Sequence, residues 1–588
     1  MQGSKQDIVK TKKQITILLM VLLATTASYS AEPTLTRMVC PGISIKSKLE
    51  IELTVTEKEL VCDTKGPEAW RKTSLMQKEY FLTNFLQTRG YYNPKFVSKN
   101  GAMLVDFQEI ASIDEVELVN NKANLQAYRF WKIYGRPMTP QSLDQLESWI
   151  RGQYGQRGYP CLSLRTKAFP RKGLVQVEIQ PGDLKTIDEI DYEKLPGTIA
   201  HIGSRYYAFK ESDTYDASKL QLSAQRMIED ELVISTNFVT QCEGETFKIA
   251  QKSIPGEPRL VTVGLGFDTE EYGIAELRWK NTRFTTTASK LDASLRASYR
   301  VVSAELAFDW YYAPIVMRHY LRSAVKLTRT NEDNFESRVL DLSTGPSWDF
   351  DSADHFFSLW PSLSMTRTKI VRGEGLGRSK MLSLRLQGTV SSHDHQLHRN
   401  DPRSGFDLGF TTSFAKKGIG SDLSINRYGL RSSYLANIMS FDPPIWIMGL
   451  RGSLSSTVVG SDTAEEDVPD NLKQRLGGTR NLRGFGRNLV AEDGALLSAY
   501  AGLELRLANT LAYGIQPIVF LDFGKVGEES WKFDQELYWG PGFGVHWKSP
   551  IGPLRATLAR GFVESADDEK LEGDLESWQV FLSLGEQF

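Results

Sequence analysis

The chain carries two different hydrophobic patterns that meet near residue 258. After this point, apolar and polar residues alternate one by one, which is the pattern of β-strands with one apolar and one polar face. The first such run places Val261, Val263, Leu265 and Phe267 on one side. Before residue 258, apolar residues recur at helical spacing between short strand-like runs. The sequence therefore predicts an α+β amino-terminal region followed by an all-β region.

The amino-terminal region is predicted to repeat. Units of about 70 residues span 31–112, 113–182 and 183–257, each with the order strand–helix–helix–strand–strand. The first two units share a helix end, Arg89-Gly90-Tyr91 in one and the same three residue types at 157–159 in the other. Glycine commonly ends a helix. The third unit lacks the Gly-Tyr pair, but the pattern still predicts three similar small domains in series.

The first 30 residues are predicted to be a secretory signal peptide. Lysines precede an apolar run from Ile15 to Ala24, and small residues follow it up to Ser30, after which we expect cleavage. The apolar run is about half of the roughly 20 residues that a membrane-spanning helix needs. An exported chain rich in alternating strands is then either a soluble protein or a closed membrane barrel.

All four cysteines precede the all-β region; they are Cys40, Cys62, Cys161 and Cys242. Disulfides are permitted in an exported chain, and four cysteines allow three pairings. The pair Cys40–Cys62 is favoured because the two flank a predicted strand–turn–strand segment. The pair Cys161–Cys242 would join two successive units and stays open. No CxxC spacing and no nearby histidine cluster accompany them, so a metal site is not expected.

The all-β region, residues 258–588, has the length of a transmembrane antiparallel β-barrel of about 16 strands. Tryptophans recur near strand ends, where a lipid interface favours them. These tryptophans are Trp279, Trp310, Trp547 and Trp578. A soluble sandwich also alternates, but it does not explain this placement. Short turns contrast with a long polar segment at 458–481, an asymmetry that is typical of bacterial outer-membrane barrels.

Strand alternation places two carboxylates inside this barrel. In the runs that follow the long loop, apolar residues occupy one side, which must face lipid, so Glu504 and Asp522 point into the lumen. A carboxylate buried there is costly unless it is paired. The glycine-rich segment 475–485 carries Arg483. We expect this loop to fold inward and Arg483 to pair with both acids.

The loop sequence Arg483-Gly484-Phe485 resembles the R-G-[FY] loop motif of the outer-membrane assembly superfamily, whose members join POTRA domains to a barrel. The likeness continues through 520–524 and 542–553. The amino-terminal units, with their Arg-Gly-Tyr helix ends, resemble POTRA domains. Three such units resemble the TamA-like branch (the bacterial surface antigen family), since larger assembly members commonly have five and two-partner secretion exporters have two.

This resemblance implies a protein of the bacterial outer membrane with its POTRA domains in the periplasm. Members insert or export β-rich, autotransporter-like clients without a cofactor, and their loop arginine docks on acids of the following strands. The first and last strands would close the barrel along a weak seam that templates a client strand. The residues assigned to the seam are Gly264, Gly266, Gly585 and Phe588. The implied partners are outer-membrane lipid, unfolded β-rich clients and an inner-membrane-anchored protein that spans the periplasm.

Two other functions stay open at this point: export of one soluble partner, and a passive outer-membrane pore. A simple pore does not account for the amino-terminal repeats. An enzyme is not expected, because the chain has no HExxH, GxSxG or P-loop motif. The net charge of −2 gives no overall positive field of the kind that recruits nucleic acid.

Overall fold

The computed structural model describes residues 35–47, 53–62, 73–199, 201–243, 246–313, 318–399, 401–550, 552–564 and 577–584. The predicted signal peptide lies outside these ranges. The chain forms two compact units. One comprises the described residues up to 117 together with 132–146 and 166–177, and the other comprises those of 118–131, 147–165 and 178–588. No helix in the described part of the chain is long and apolar enough to cross a bilayer.

The first amino-terminal domain is a four-stranded sheet, in the order β1-β2-β4-β3, that shares a core with two helices. Its elements are β1 (Leu35–Cys40), β2 (Ile43–Ser47), α1 (Val55–Cys62), α2 (Leu75–Gln87), β3 (Lys95–Lys99) and β4 (Ala102–Asp106). Helix α2 begins with a capping box formed by Ser74 and Gln77. It buries Leu82 and Leu86, which lie four residues apart on one face. Gly90 follows the helix with φ +90°, so the predicted helix end is a position that favours glycine.

The second and third domains are three-stranded sheets, ordered β5-β7-β6 and β8-β10-β9. Their elements are β5 (Glu115–Val119), α3 (Pro140–Gly155), β6 (Ser163–Phe169), β7 (Leu174–Gln180), β8 (Glu189–Asp191), α4 (Ala217–Glu229), β9 (Val233–Gln241) and β10 (Lys248–Pro255). Short 3-10 turns stand where the sequence predicts the first helix of each unit. In the second domain, Asn120 and Asn124 adopt left-handed φ before these turns, which a continuous α-helix does not tolerate.

Two disulfides are present in the amino-terminal domains. The Cys40–Cys62 bond joins the end of β1 to the end of α1. The Cys161–Cys242 bond joins the segment after α3 to the segment after β9, so it links the second and third domains covalently. No free cysteine occurs among the described residues.

Replacing Cys40 and Cys62 together by serine should loosen the first domain. The bond closes a loop across a sequence separation of 22 residues, and such a crosslink stabilises a domain by on the order of 3 kcal/mol. We expect the backbone amides of α2 and β4 to exchange with deuterium markedly faster in this variant. The matched control replaces Cys161 and Cys242, which should leave exchange in the first domain unchanged. Wild-type exchange in the first variant would contradict the expectation.

The carboxy-terminal region is a closed antiparallel barrel. Its strands are β11 (Arg259–Asp268), β12 (Tyr272–Asn281), β13 (Lys290–Ala297), β14 (Val301–Ala313), β15 (Arg318–Asn331), β16 (Glu336–Ser352), β17 (His355–Arg372), β18 (Arg378–Ser392), β19 (Gly405–Ala415), β20 (Ile425–Ile438), β21 (Trp446–Val459), β24 (Leu497–Leu507), β25 (Ile515–Gly527), β26 (Leu537–Ser549), β27 (Gly552–Arg560), β28 (Phe562–Glu564) and β29 (Trp578–Leu584). A short helix, α5 (His393–Leu397), follows β18, and β22 (Gln474–Leu476) and β23 (Val490–Ala495) lie in the loop after β21.

The barrel has seventeen strand segments in the described residues, and β27 and β28 are one strand interrupted at Gly561, which leaves sixteen strands. This confirms the predicted fold class: small mixed α/β sheets followed by an antiparallel barrel of about 16 strands. Alternation sorts the side chains as expected, because Leu503 and Val519 are exposed whereas Glu504 and Asp522 are buried. The exposed apolar face is suited to lipid, and the opposite face lines the lumen.

Candidate functional site

A long loop between β21 and β24 folds back against the inner wall of the barrel. Strands β22 and β23 pair within it, and the residues between them, 477–489, form what we call the loop tip. Asn481 shapes the tip, because its side-chain oxygen accepts hydrogen bonds from the N–H groups of Gly477 (2.9 Å) and Leu482 (2.6 Å). Leu482 and Phe485 are fully buried in a cluster with side chains of β24 and β25. The tip is therefore packed inside the barrel.

Arg483 at the tip forms a buried, bidentate ion pair with Asp522 on β25. Its Nε and Nη2 atoms donate to the two carboxylate oxygens at 2.7 Å and 2.9 Å. Its backbone N–H donates to the same carboxylate at 3.2 Å. Arg483 is 4% exposed and Asp522 is 0% exposed. Since a bidentate pair fixes geometry as well as charge, this contact sets the depth and orientation of the loop tip.

Glu504 on β24 is the second acid that Arg483 reaches. Nη1 of Arg483 donates to one Glu504 oxygen at 2.8 Å. Arg506 lies on the same face of β24 and donates to the other oxygen at 3.2 Å, and Arg451 on β21 lies 3.5 Å away. One carboxylate thus sits among three guanidinium groups, which compensates its burial. We call Arg483, Glu504 and Asp522 together the arginine lock.

Two aromatic residues that the sequence analysis does not single out complete the lock. The guanidinium carbon of Arg483 lies 3.5 Å from the ring centroid of Phe520, a cation–π contact. The Tyr500 hydroxyl donates to Asp522 at 3.0 Å. Both residues share the luminal parity of the acid on their own strand. Alternation therefore contained a signal for them, but it does not indicate which luminal aromatic side chain the arginine contacts.

Gly484 and Phe485 fix the loop tip against β26 and the interrupted strand β27–β28. A Cβ atom added at Gly484 would lie 2.9 Å from the Cα atoms of Gly540 and Gly561, closer than real Cβ atoms approach backbone. The Phe485 ring stands edge-on to Tyr538 at a centroid distance of 5.7 Å. Three glycines therefore allow the loop backbone to cross two strands in contact, and the neighbouring phenylalanine anchors the crossing.

The seam, the edge between β11 and β29, is sparsely paired in the described residues. Phe267 pairs with Leu584 and Asp268 with Ser583, and these are its two register positions. In contrast, β11 shares ten positions with β12, and β29 shares seven with β27. Beyond the end of β11, the N–H of Thr269 donates to the Leu582 carbonyl at 3.0 Å. Most of the described length of β29 therefore lies past the end of β11.

The glycines assigned to the seam are placed differently from one another. Gly266 is at the seam, because an added Cβ would lie 3.2 Å from the Leu584 carbonyl oxygen. Gly264 is also in β11, and its pairing partner is Glu276 on β12. Gly585 and Phe588 lie outside the described residues. The disulfide cysteines lie in the amino-terminal domains, so the structure brings Arg483, Gly484, Phe485 and the two acids together and leaves the cysteines out.

The chemistry available here is recognition of a strand and fixing of a loop. The seam offers backbone N–H and C=O groups at a strand edge, which can pair with another extended chain. The lock offers a rigid inner wall held by buried charges. Among the described residues, no group of three or more histidine, cysteine, aspartate or glutamate side chains is arranged to hold a metal ion.

Comparison with known families agrees with this architecture. Residues 261–588, more than half of the chain, match the family model described as the Omp85 superfamily domain. The matched stretch contains the whole described barrel apart from the first two residues of β11, together with the loop tip and the seam.

Solved structures that align with this chain include a BamA and two CdiB proteins. BamA from Haemophilus ducreyi lacking POTRA domains 1–3 aligns with a TM-score of 0.49 at 14% identity, over 80% of this chain and 98% of that chain. CdiB from Acinetobacter baumannii aligns with a TM-score of 0.46 at 13% identity, over 87% of this chain and 97% of that chain. CdiB from Escherichia coli gives 0.45 at 12% identity, with the same two coverages.

Proposed function

The chain belongs to the Omp85 superfamily, and from this membership we propose that it inserts β-rich, autotransporter-like client proteins into the outer membrane. It is an outer-membrane β-barrel with POTRA-like domains in the periplasm, and proteins of this superfamily are transport and assembly factors rather than enzymes. Its partners are client proteins. The three POTRA-like domains, proposed to span 31–112, 113–182 and 183–257, support a place in the TamA-like branch with a periplasm-spanning inner-membrane partner.

The observation that carries this proposal is the offset of the two strands at the seam. Asp268 at the end of β11 pairs with Ser583, so the segment of β29 from Trp578 to Phe581 has no partner strand on its seam side among the described residues. An unpaired edge is a template for another strand. A client strand pairs with the exposed edge by β-augmentation, and successive strands of the client then leave the seam sideways into lipid.

The loop tip makes contacts inside the barrel that a passive pore does not need. It occupies luminal space and fixes β24, β25 and β26 through the arginine lock and the glycine crossing. A wall that stays rigid lets the seam open without unfolding the rest of the barrel. In this mechanism the lock is structural support for the moving edge.

Covalent closure of the seam tests the proposal. Phe267 and Leu584 are register partners, so the variant Phe267→Cys with Leu584→Cys places two thiols across the seam, where a bifunctional thiol reagent joins them. The native cysteines of the described residues are in disulfides and do not compete. We expect the crosslinked protein, in lipid vesicles, to insert a client barrel no faster than vesicles without protein.

The matched control is Leu265→Cys with Ala275→Cys, a register pair between β11 and β12 on the other side of the same strand. Crosslinking this pair should leave insertion unchanged. Full insertion by the seam-crosslinked protein would rule out the proposed route. A second arm supplies a soluble β-helical protein in place of the client barrel, and export of that protein alone would favour a two-partner secretion exporter.

A further inference from the structure

The turn between β11 and β12 lies directly above the seam and contacts the loop tip. Asp268 closes the turn, because one of its oxygens accepts the N–H groups of Glu270 (2.8 Å) and Glu271 (2.5 Å). The side chains of Glu270 and Glu271 are buried, although they belong to a turn at the outer rim of the barrel. Buried carboxylates in a turn need partners, and the loop tip supplies them.

Glu270 is held by Thr479 of the loop tip. The Thr479 hydroxyl donates to one carboxylate oxygen at 2.6 Å, and the Thr479 backbone N–H donates to the other at 3.2 Å. Gly478 approaches so closely that an added Cβ would lie 2.2 Å from the same carboxylate. Gly478 has φ +99°, which favours glycine on its own account. We call the contact between Glu270 and Thr479 the rim clamp.

Glu271 adds charge contacts between the same turn and the same loop tip. Arg480 and Arg487 of the tip lie 3.5 Å and 3.7 Å from one of its oxygens. The other oxygen accepts a hydrogen bond from Arg296 of β13 at 2.9 Å. The turn is therefore tied both to its own side of the barrel and to the loop tip.

The turn also carries the last backbone contacts of the seam. Thr269 donates its N–H to the Leu582 carbonyl, and its hydroxyl oxygen accepts the Leu582 N–H at 3.3 Å. Thr269 is next to Glu270 in sequence. Displacement of Glu270 from Thr479 would therefore move the residue that holds β29.

We infer that the loop tip is an internal staple across the seam. Arg483 fixes the tip to β24 and β25, and the rim clamp fixes the same tip to the hairpin that begins the barrel. The first hairpin of the barrel and the strands that precede β29 are thus joined through the lumen by the loop tip, independently of the strand pairing at the seam. The seam opens fully when Glu270 leaves Thr479. The importance of this step for clients rests on the proposed function, but the staple itself does not.

Hydrogen exchange at the seam tests the staple without any client. Glu270→Gln removes the charge that strengthens both hydrogen bonds from Thr479, and Thr479→Val removes the hydroxyl donor. Loss of one such bond should raise the exchange rate of the Thr269 and Leu582 amides by about fivefold. Amides of β24 and β25 should stay as slow as in the wild type, because the arginine lock is intact.

The control is Glu336→Gln, the same chemical change at another outer-rim carboxylate, which is paired with Arg329 at 2.9 Å and lies away from the seam. It should leave exchange at Thr269 and Leu582 at the wild-type rate. Unchanged exchange in both Glu270→Gln and Thr479→Val would overturn the staple. Equal acceleration by Glu336→Gln would also overturn it, since the effect would then be general loosening of the rim.

Crosslinking the clamp gives the functional arm. Glu270→Cys with Thr479→Cys, joined by a short thiol reagent, should keep the seam amides at wild-type exchange or slower and stop client insertion. Insertion at the wild-type rate by the crosslinked protein would overturn release of the clamp as a required step. A wild-type protein that inserts no client would instead contradict the proposed function, and the exchange result would stand unaffected.

Discussion

Arg483→Ala is expected to leave a folded barrel that no longer inserts clients. The substitution removes the partner of Asp522 and one of the partners of Glu504 while both acids stay buried. Breaking a buried pair in this way costs about 3–5 kcal/mol, which lowers the ratio of docked to undocked loop by roughly a hundredfold or more. The expected result is a large loss of insertion rate in vesicles, together with new cleavage of the loop by added protease.

Two measurements keep this prediction specific to the lock. Heat-dependent electrophoretic mobility reports whether the variant still forms a barrel, and it should. Arg483→Lys retains the charge but loses the bidentate geometry and the planar contact with Phe520, so it should fall between the wild type and Arg483→Ala. Wild-type insertion by Arg483→Ala, with the loop still protected from protease, would contradict the role assigned to the lock.

Gly484→Ala is expected to weaken insertion through shape alone, with every charge kept. The new methyl group would meet the Cα atoms of Gly540 and Gly561 at 2.9 Å, and because these are backbone atoms they cannot turn away. Overpacking of this kind typically costs 1–3 kcal/mol. Either the loop tip lifts or the strands spread, and both changes pull Arg483 away from its acids. Insertion rate and protease protection of the loop should fall together.

Gly486→Ala is the matched control for this substitution. Gly486 lies two residues along the same loop tip, and an added Cβ would find its nearest neighbours at 3.8 Å, an ordinary contact distance. It should behave as the wild type in both measurements. Equal losses in the two variants would indicate that the loop is generally sensitive to alanine. That result would contradict the specific requirement for close backbone contact at Gly484.

The positions of the two luminal acids could be predicted because the strand face that contacts lipid has to be apolar. The apolar faces of β24 and β25 have to point outward, so Glu504 and Asp522 are inside whatever the rest of the barrel does. The arginine of the nearby Arg-Gly-Phe motif could then be predicted as the partner of both acids. Phe520 shares the parity of Asp522, yet the depth of the loop tip decides whether the arginine reaches that ring.

Contacts between distant parts of the chain could not be predicted. Glu270 and Thr479 are 209 residues apart in sequence, and two adjacent glutamates in a turn are typical of an ordinary solvated rim. The crossing at Gly484 likewise depends on two other glycines on separate strands. In the amino-terminal domains, the predicted strand–helix–helix–strand–strand order included a first helix in each unit, but left-handed asparagines and 3-10 turns replace it in the second. Short apolar runs do not separate these alternatives.

The positions of the two disulfides have a consequence for how the protein matures. One bond lies within the first domain and the other joins the second to the third, and both precede β11, so thiol oxidation and lipid act on separate stretches of polypeptide. The periplasmic domains can reach their final covalent form while the later strands are still unpaired. Disulfide formation in the amino-terminal domains and insertion of the barrel into the bilayer can therefore occur in either order.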